Sequence, residues 1–266
     1  TDDWTFDDMI DAAIKLTKRS SDEGPAEVYG MITSTNITQG WFPWIKSTGG
    51  KALDETLTKA QFTDPKTIEG ITKWAAMSQK LKVSPTPAEI KEYGNAIQMF
   101  GNGKAAMYFI QYAEAQSIIN VNFPDFDYDV VMIPKASDGN RYVPNVINCW
   151  VIYSKSKQEE KDAAWEWIKH FLSAESQDIV AESGGSLPVR KSSLEKLEAF
   201  DFKPLNKKAF TKGIDEAGIT MDENPSWNEW RTVAQPIFND IFDGKISPEE
   251  GLKEIQEKVQ KVLDEQ

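Results

Sequence analysis

Apolar positions along the chain recur at two spacings, and their alternation predicts helices and strands in turn. Thr5-Phe6-Asp7-Asp8 sets a cap residue three places before an acid, and Met9, Ala12, Ala13 and Leu16 follow on one face, predicting a helix to about Arg19. Val28–Thr33 predicts a short strand after Gly24-Pro25, and Trp41–Thr48 a second helix that ends at Gly49-Gly50. Asp64-Pro65 opens a third helix with Ile68, Ile71, Ala75 and Met77 inward, running to about Lys82. Asn95–Phe100 predicts a helix, Gly101-Asn102-Gly103 a turn, and Ala105–Ile110 a buried strand. Further strands are predicted over Tyr128–Ile133 and Val146–Tyr153, the latter apolar on both faces. Beyond them the pattern is helical: 159–174, 175–182, Pro225–Phe242 and Pro248–Leu263, the last opened by a Ser247/Glu250 capping box. Strands that alternate with helices over the first two thirds define an α/β chain.

Composition narrows the function. The 266 residues are 40% hydrophobic and 27% charged, ordinary globular material. A formal net charge of −12 disfavours the phosphate contacts of nucleic-acid binding, so no nucleic-acid partner is expected. Cys149 is the single cysteine and His170 the single histidine, which leaves no disulfide, no multi-cysteine zinc site and little histidine chemistry; no metal, cofactor or catalytic residue is assigned. His170 reads as a helix-face residue, and Cys149, within the apolar run 146–153, as a small buried hydrophobe. No run approaches the ~20 apolar residues of a membrane span, and Thr1-Asp2-Asp3-Trp4 has neither the basic start nor the apolar core of a signal peptide.

Four segments together resemble the carbohydrate-binding extracellular solute-binding proteins, the family that includes the maltose-binding protein: Trp4-Thr5-Phe6-Asp7-Asp8-Met9, Phe100-Gly101-Asn102-Gly103-Lys104-Ala105-Ala106-Met107, Gly185-Ser186-Leu187-Pro188-Val189-Arg190, and Gly244-Lys245-Ile246-Ser247-Pro248-Glu249-Glu250. The Phe-x-x-Gly-Lys-Ala-Ala-Met box is the most specific. The resemblance implies a periplasmic-binding-protein type II fold, α/β, with two lobes and a hinge. It places 1–145 and 192–266 in a complete C-lobe and 146–191 in a partial N-lobe, with the first N-lobe segment, a signal peptide and any lipid-anchoring cysteine upstream of Thr1. It implies a non-enzymatic, extracytoplasmic component of an ABC importer, in the periplasm or at the cell surface as a lipoprotein, whose partners are a carbohydrate and the permease subunits.

A sugar offers a C–H face and a rim of hydroxyls, so its binder needs aromatic platforms beside groups that donate and accept. Nine tryptophans supply candidates. Trp74, Trp165 and Trp167 sit mid-helix and read as core. Trp41 follows the polar loop after the 28–33 strand, with Gln39 and Gly40 beside it, where the maltose-binding protein carries an aromatic and a carboxylate. Gln111 and Tyr112 stand where the family often has a glycine and an aromatic; here the aromatic is shifted and the glycine absent. Asn145 and Trp150 flank the expected recrossing between lobes, Asn148 reading as a hinge residue. Trp227 and Trp230 follow Asp222-Glu223-Asn224-Pro225 at a helix start, with Trp227 the preferred platform; Trp230 and Arg231 also suit an ordinary amphipathic helix. Two rival readings stand beside this one: a glycoside hydrolase, which also joins tryptophans to carboxylates, and a ligand-sensing ectodomain. The acids fall mostly on helix faces interleaved with lysine, as at Glu249, Glu250, Lys253, Glu254 and Lys258, the pattern of a solvated surface.

Overall fold

Local capping sets most helix starts. The Asp8 amide donates to Thr5 Oγ1 (3.1 Å) while the Thr5 amide donates to Asp8 Oδ2 (2.9 Å), closing the capping box of α1 (Phe6–Leu16). Asp64 caps α3 (Pro65–Gln79), whose first residue is a proline with no amide to leave unpaired, and the Ser247/Glu250 box opens α13 (Pro248–Asp264). Between these lie α2 (Phe42–Ser47), α4 (Pro87–Glu92), α5 (Ala96–Gly101), α6 (Tyr112–Glu114), α7 (Asn120–Asn122), α8 (Gln158–Phe171), α9 (Ala174–Ser183), α10 (Lys191–Leu197), α11 (Lys208–Ala217) and α12 (Trp227–Phe242). The computed structural model describes residues 3–21 and 24–265.

The predicted strands are present in reduced form. Val28–Thr33 and Ala105–Ile110 run parallel and touch at two bridges, Tyr29 with Ala105 and Ile32 with Tyr108, held by Ile32 N–H to Met107 O (2.9 Å) and Ala106 N–H to Tyr29 O (2.9 Å). The paired strands among the described residues are β1 (Val143–Pro144) and β2 (Gly218–Ile219), which are parallel. Tyr128–Ile133 forms no strand. The chain divides into two compact units, and this run straddles them: residues up to Val131 cluster with one unit, and Met132 onward with the other. Its pairing falls later, where Lys135 N–H donates to Trp4 O (2.8 Å).

Unit 1 comprises Thr1–Ile110, Met132–Asn145 and Ile214–Gln266. Its core is an aromatic stack at the meeting of α2, α3, α12 and α13. Trp41 lies flat on Phe238 at 4.2 Å between ring centroids, Trp230 meets Trp41 edge-on at 6.4 Å, and Trp74 reaches Phe242 at 4.8 Å. At about 25 cal/mol per Å2 over the roughly 150–250 Å2 of an aromatic side chain, each contributes about 4–6 kcal/mol of transfer free energy before ordering costs. Gly70 lets α3 close on α2: a Cβ there would lie 2.3 Å from Trp44 O.

Unit 2 comprises Gln111–Val131 and Val146–Gly213. Its core is smaller, Tyr112, Ala181 and Leu197 with Leu187, Leu194, Phe200, Phe202 and Phe210 around them. The expected buried strand over Val146–Tyr153 is not formed: Trp150 is 58% exposed, Val151 86% and Tyr153 66%, and Cys149 is exposed too. Trp165 and Trp167, read as core from their mid-helix positions, are also exposed, because α8 buries only Ile168 and no element of unit 2 covers its tryptophan face. Residues 111–131 and 192–213, assigned by the resemblance to the lobe of 1–110, cluster here with 146–191.

Candidate ligand-binding residues

The loop after Thr33 is built from its own polar groups. Asn36 Oδ1 accepts the Gln39 amide (2.8 Å), Asn36 Nδ2 donates to Gln39 Oε1 (2.8 Å), and Gln39 Nε2 donates to Phe109 O (2.8 Å). Gln39 therefore ties the ends of the two parallel segments together, and its side-chain amide is spent inside the protein. Gly40 sits at a kink with φ −114° and ψ −117°, where a Cβ would lie 2.1 Å from Ser34 O. Its role is close backbone approach. Trp41, the expected platform, has no accessible surface; both ring faces are engaged in the core and its Nε1 points to Gln235 Oε1 at 3.4 Å. The side chain turns inward to Phe238.

Trp230 is likewise fully buried, one face of the same stack, and its Nε1 has no partner among the described residues. Trp227 differs. Half-buried at the first turn of α12, it stands edge-on to Trp230 at 5.0 Å, and Arg231, one turn on, lies 5.3 Å from its ring. A fixed, partly accessible indole on a rigid base is what a platform requires. The acids before it serve the fold: Asp222, at φ 61°, accepts the amides of Ala52 (3.2 Å) and Leu53 (3.1 Å) and faces Lys46 at 3.9 Å. Burial lowers the Lys46 pKa, partly offset by Asp222. Gln235, absent from the sequence reading, locks the site from below by donating to Thr35 O (2.7 Å); its spacing of four from Arg231 on the same helix was the available signal.

In unit 2, Tyr112 is buried edge-on to Phe210 at 5.4 Å, its hydroxyl has no partner among the described residues, and burial pushes its pKa up to about 12. It packs the core of unit 2 rather than facing solvent. Gln111, half-buried, starts α6, its amide held by Glu114 Oε2 at 3.0 Å. Trp150 is open to solvent and meets Trp167 edge-on at 4.6 Å and Phe171 at 5.7 Å. In unit 1, Asn145 is half-buried, and its amide donates to Ile219 O (2.9 Å) at the end of β1. A groove of about 440 Å3 lies between α3 and the α12–α13 turn, lined by Thr72, Gln79, Lys245 and Glu249 among others. It includes none of the candidate residues. Among the described residues no cluster of ligating side chains for a metal is present.

Residues 1–212 match the family of bacterial extracellular solute-binding proteins, and the chain belongs to it. Among solved structures it is similar to the ABC substrate-binding protein Lmo0181 from Listeria monocytogenes, solved with cycloalternan (21% identity, TM-score 0.80, covering 99% of this chain and 65% of that one). It is also similar to an ABC transporter solute-binding protein from Thermotoga lettingae bound to α-D-tagatose (22%, 0.76, 99% and 65%) and to maltose-bound T. maritima MalE3 (23%, 0.76, 98% and 66%). The fold is thus of the α/β periplasmic-binding-protein type II class, in partial form, and the chain spans about 65% of the length of the first of these relatives. No curated protein matches it.

Proposed function

We propose that the protein is the extracytoplasmic sugar-capturing component of an ABC importer, with Trp227 as its aromatic platform. The observation that carries this reading is the half-buried Trp227 indole, seated on the fully buried Trp230–Trp41–Phe238 stack within a chain of the solute-binding family. Solved proteins of this fold carry cycloalternan, tagatose or maltose, which favours a carbohydrate as the ligand class. Trp41, Trp230 and Gly40 support the platform from beneath, Gln39 fixes the loop, and Gln111, Asn145 and Trp150 are the accessible candidates for further contacts. The permease subunits are the protein partners, and a lipid anchor or the permease itself supplies the link to the membrane. Residues 146–191 form the return segment of the N-lobe.

The hydrolase reading is the weaker one, because the single histidine, His170, lies exposed on α8 and the acids around Trp227 are engaged with backbone amides or stand at the helix surface. A thermal-shift screen against mono- and oligosaccharides tests the proposal: a ligand at 100 times its Kd stabilises by about 2.7 kcal/mol. Trp227→Ala is expected to weaken the ligand so found by about 1–3 kcal/mol. Turnover of an oligosaccharide, or unchanged affinity in the Trp227 variant, defeats the reading.

A further inference from the structure

The Trp227–Arg231 pair carries more than a stacking surface. The guanidinium lies 5.3 Å from the indole, one helical turn away on the same face of α12, in a half-buried position. Among the described residues no carboxylate pairs with it and no carbonyl accepts from it, whereas Arg19, Arg141 and Arg190 each donate to a backbone carbonyl. The nearest acids in sequence before the helix are engaged elsewhere. Asp222 holds the amides of Ala52 and Leu53, and Glu223 accepts the Met221 amide at 2.6 Å. What the pair presents is a half-buried indole with the guanidinium over its ring, a fork of N–H donors with no acceptor among them. A neutral sugar's hydroxyl donates as well as accepts and leaves its O–H donor unmet against donors alone. A carboxylate only accepts, and it matches the guanidinium bidentately.

We infer that the sugar taken at Trp227 carries a carboxylate: the pyranose C–H face stacks on the indole while the acid of a uronic residue meets Arg231. The inference rests on Trp227 being the sugar platform and adds the ligand's charge. Arg231 then acts as the specificity residue, since it rewards the acid and gives the neutral analogue little.

Calorimetry with matched methyl pyranosides of gluco, galacto and manno configuration, each as the uronic acid and as the neutral sugar, tests it. The expected result is that at least one acid binds ten-fold or more tightly than its neutral partner, with an affinity that falls as salt rises. Arg231→Met is expected to reduce affinity for the acid by ten-fold or more and for the neutral sugar by less than three-fold; Arg231→Lys recovers part of the loss, and Trp227→Ala weakens both ligands. Neutral sugars that bind as well as the acids, with a preference ratio unmoved by Arg231→Met but affinity lost in Trp227→Ala, would overturn the inference and leave the platform standing. Binding of neither series, or affinity indifferent to Trp227→Ala, overturns the platform and the inference with it.

Discussion

Units 1 and 2 treat the same residue type in opposite ways. In unit 1, Trp41, Trp44, Trp74 and Trp230 have no accessible surface, whereas in unit 2 Trp150, Trp165 and Trp167 are 58%, 53% and 47% exposed. Both sets sit in amphipathic or apolar segments, so the segments themselves do not explain the difference. In unit 1 three long helices, α3, α12 and α13, pack on one another, α3 packs on α2 as well, and each of these four buried tryptophans meets a second aromatic from a different element. In unit 2 Trp167 of α8 has Trp150 and Phe171 beside it, and among the described residues of that unit no element covers the far side of the cluster. Apolar spacing states that a face wants a partner. Burial depends on whether the partner is there.

The largest test of this contrast is truncation of one tryptophan from each unit. Trp74→Ala removes an indole packed against Phe238 and Phe242 and is expected to cost about 3–5 kcal/mol. Trp167→Ala, on the open face of α8, is expected to cost under about 1 kcal/mol. Urea unfolding of the two variants measures both, and equal losses would mean that the Trp167 face is covered in solution.

Gly40→Ala probes the same contrast through the backbone. The added methyl would lie 2.1 Å from Ser34 O within the rigid loop of unit 1, forcing a main-chain shift expected to cost about 1–3 kcal/mol. In unit 2, Gly185→Ala meets nothing closer than Ser183 Oγ at 3.8 Å and is expected to change stability by less than about 0.5 kcal/mol. Comparable midpoints for the two variants would show that the loop around Gly40 yields easily.

What the sequence conveyed divides along the same line. Helix starts were legible because a cap is a local event: Thr5 with Asp8, Asp64 with Pro65, and Ser247 with Glu250 each need only three or four consecutive residues. The inward face of α3 was legible for the same reason. The direction of Trp41 was not, since it depends on Phe238 nearly two hundred residues away, and neither was the exposure of Val146–Tyr153, which turns on neighbours that no local pattern encodes. The place of Trp227 at the start of α12 was legible because a helix start is a local signal; Gln235 was not, because its meaning lies in the Thr35 carbonyl across the fold.

The helix caps of unit 1 give a smaller effect with a pH signature. Ser247→Ala is expected to cost about 1 kcal/mol at pH 7. The Glu250 carboxyl accepts from the Ser247 hydroxyl (2.8 Å) and backbone amide (3.3 Å), which lowers its pKa below the usual 4.5, and Thr5 does the same for Asp8. A carboxyl with a folded-state pKa below its unfolded value stabilises fully above the unfolded pKa and loses that contribution as pH falls through the folded one. Stability is therefore flat near neutrality and falls below about pH 4.5, and the gap between wild type and Ser247→Ala narrows over that interval. Urea midpoints at pH 7 and pH 3 check this; a gap that stays constant would mean that Glu250 takes no part in the cap.

The smallest expected energy belongs to Cys149, and it bears directly on the open side of unit 2. A free cysteine buried in a strand behaves as a small hydrophobe, and replacing it with serine would strand a hydroxyl without a partner at a cost of about 1–3 kcal/mol. Cys149 instead lies exposed in an extended run in which Val146, Ile147, Trp150 and Val151 are exposed as well. Cys149→Ser is therefore expected to shift the unfolding free energy of this chain by no more than about 0.5 kcal/mol, and the native thiol is expected to react with a small disulfide reagent nearly as fast as in the denatured protein. Both readouts reverse if polypeptide covers the run. A thiol protected at least a hundred-fold, together with a serine variant destabilised by more than about 1 kcal/mol, would show that the strand of unit 2 is paired in solution and that its tryptophan face is closed.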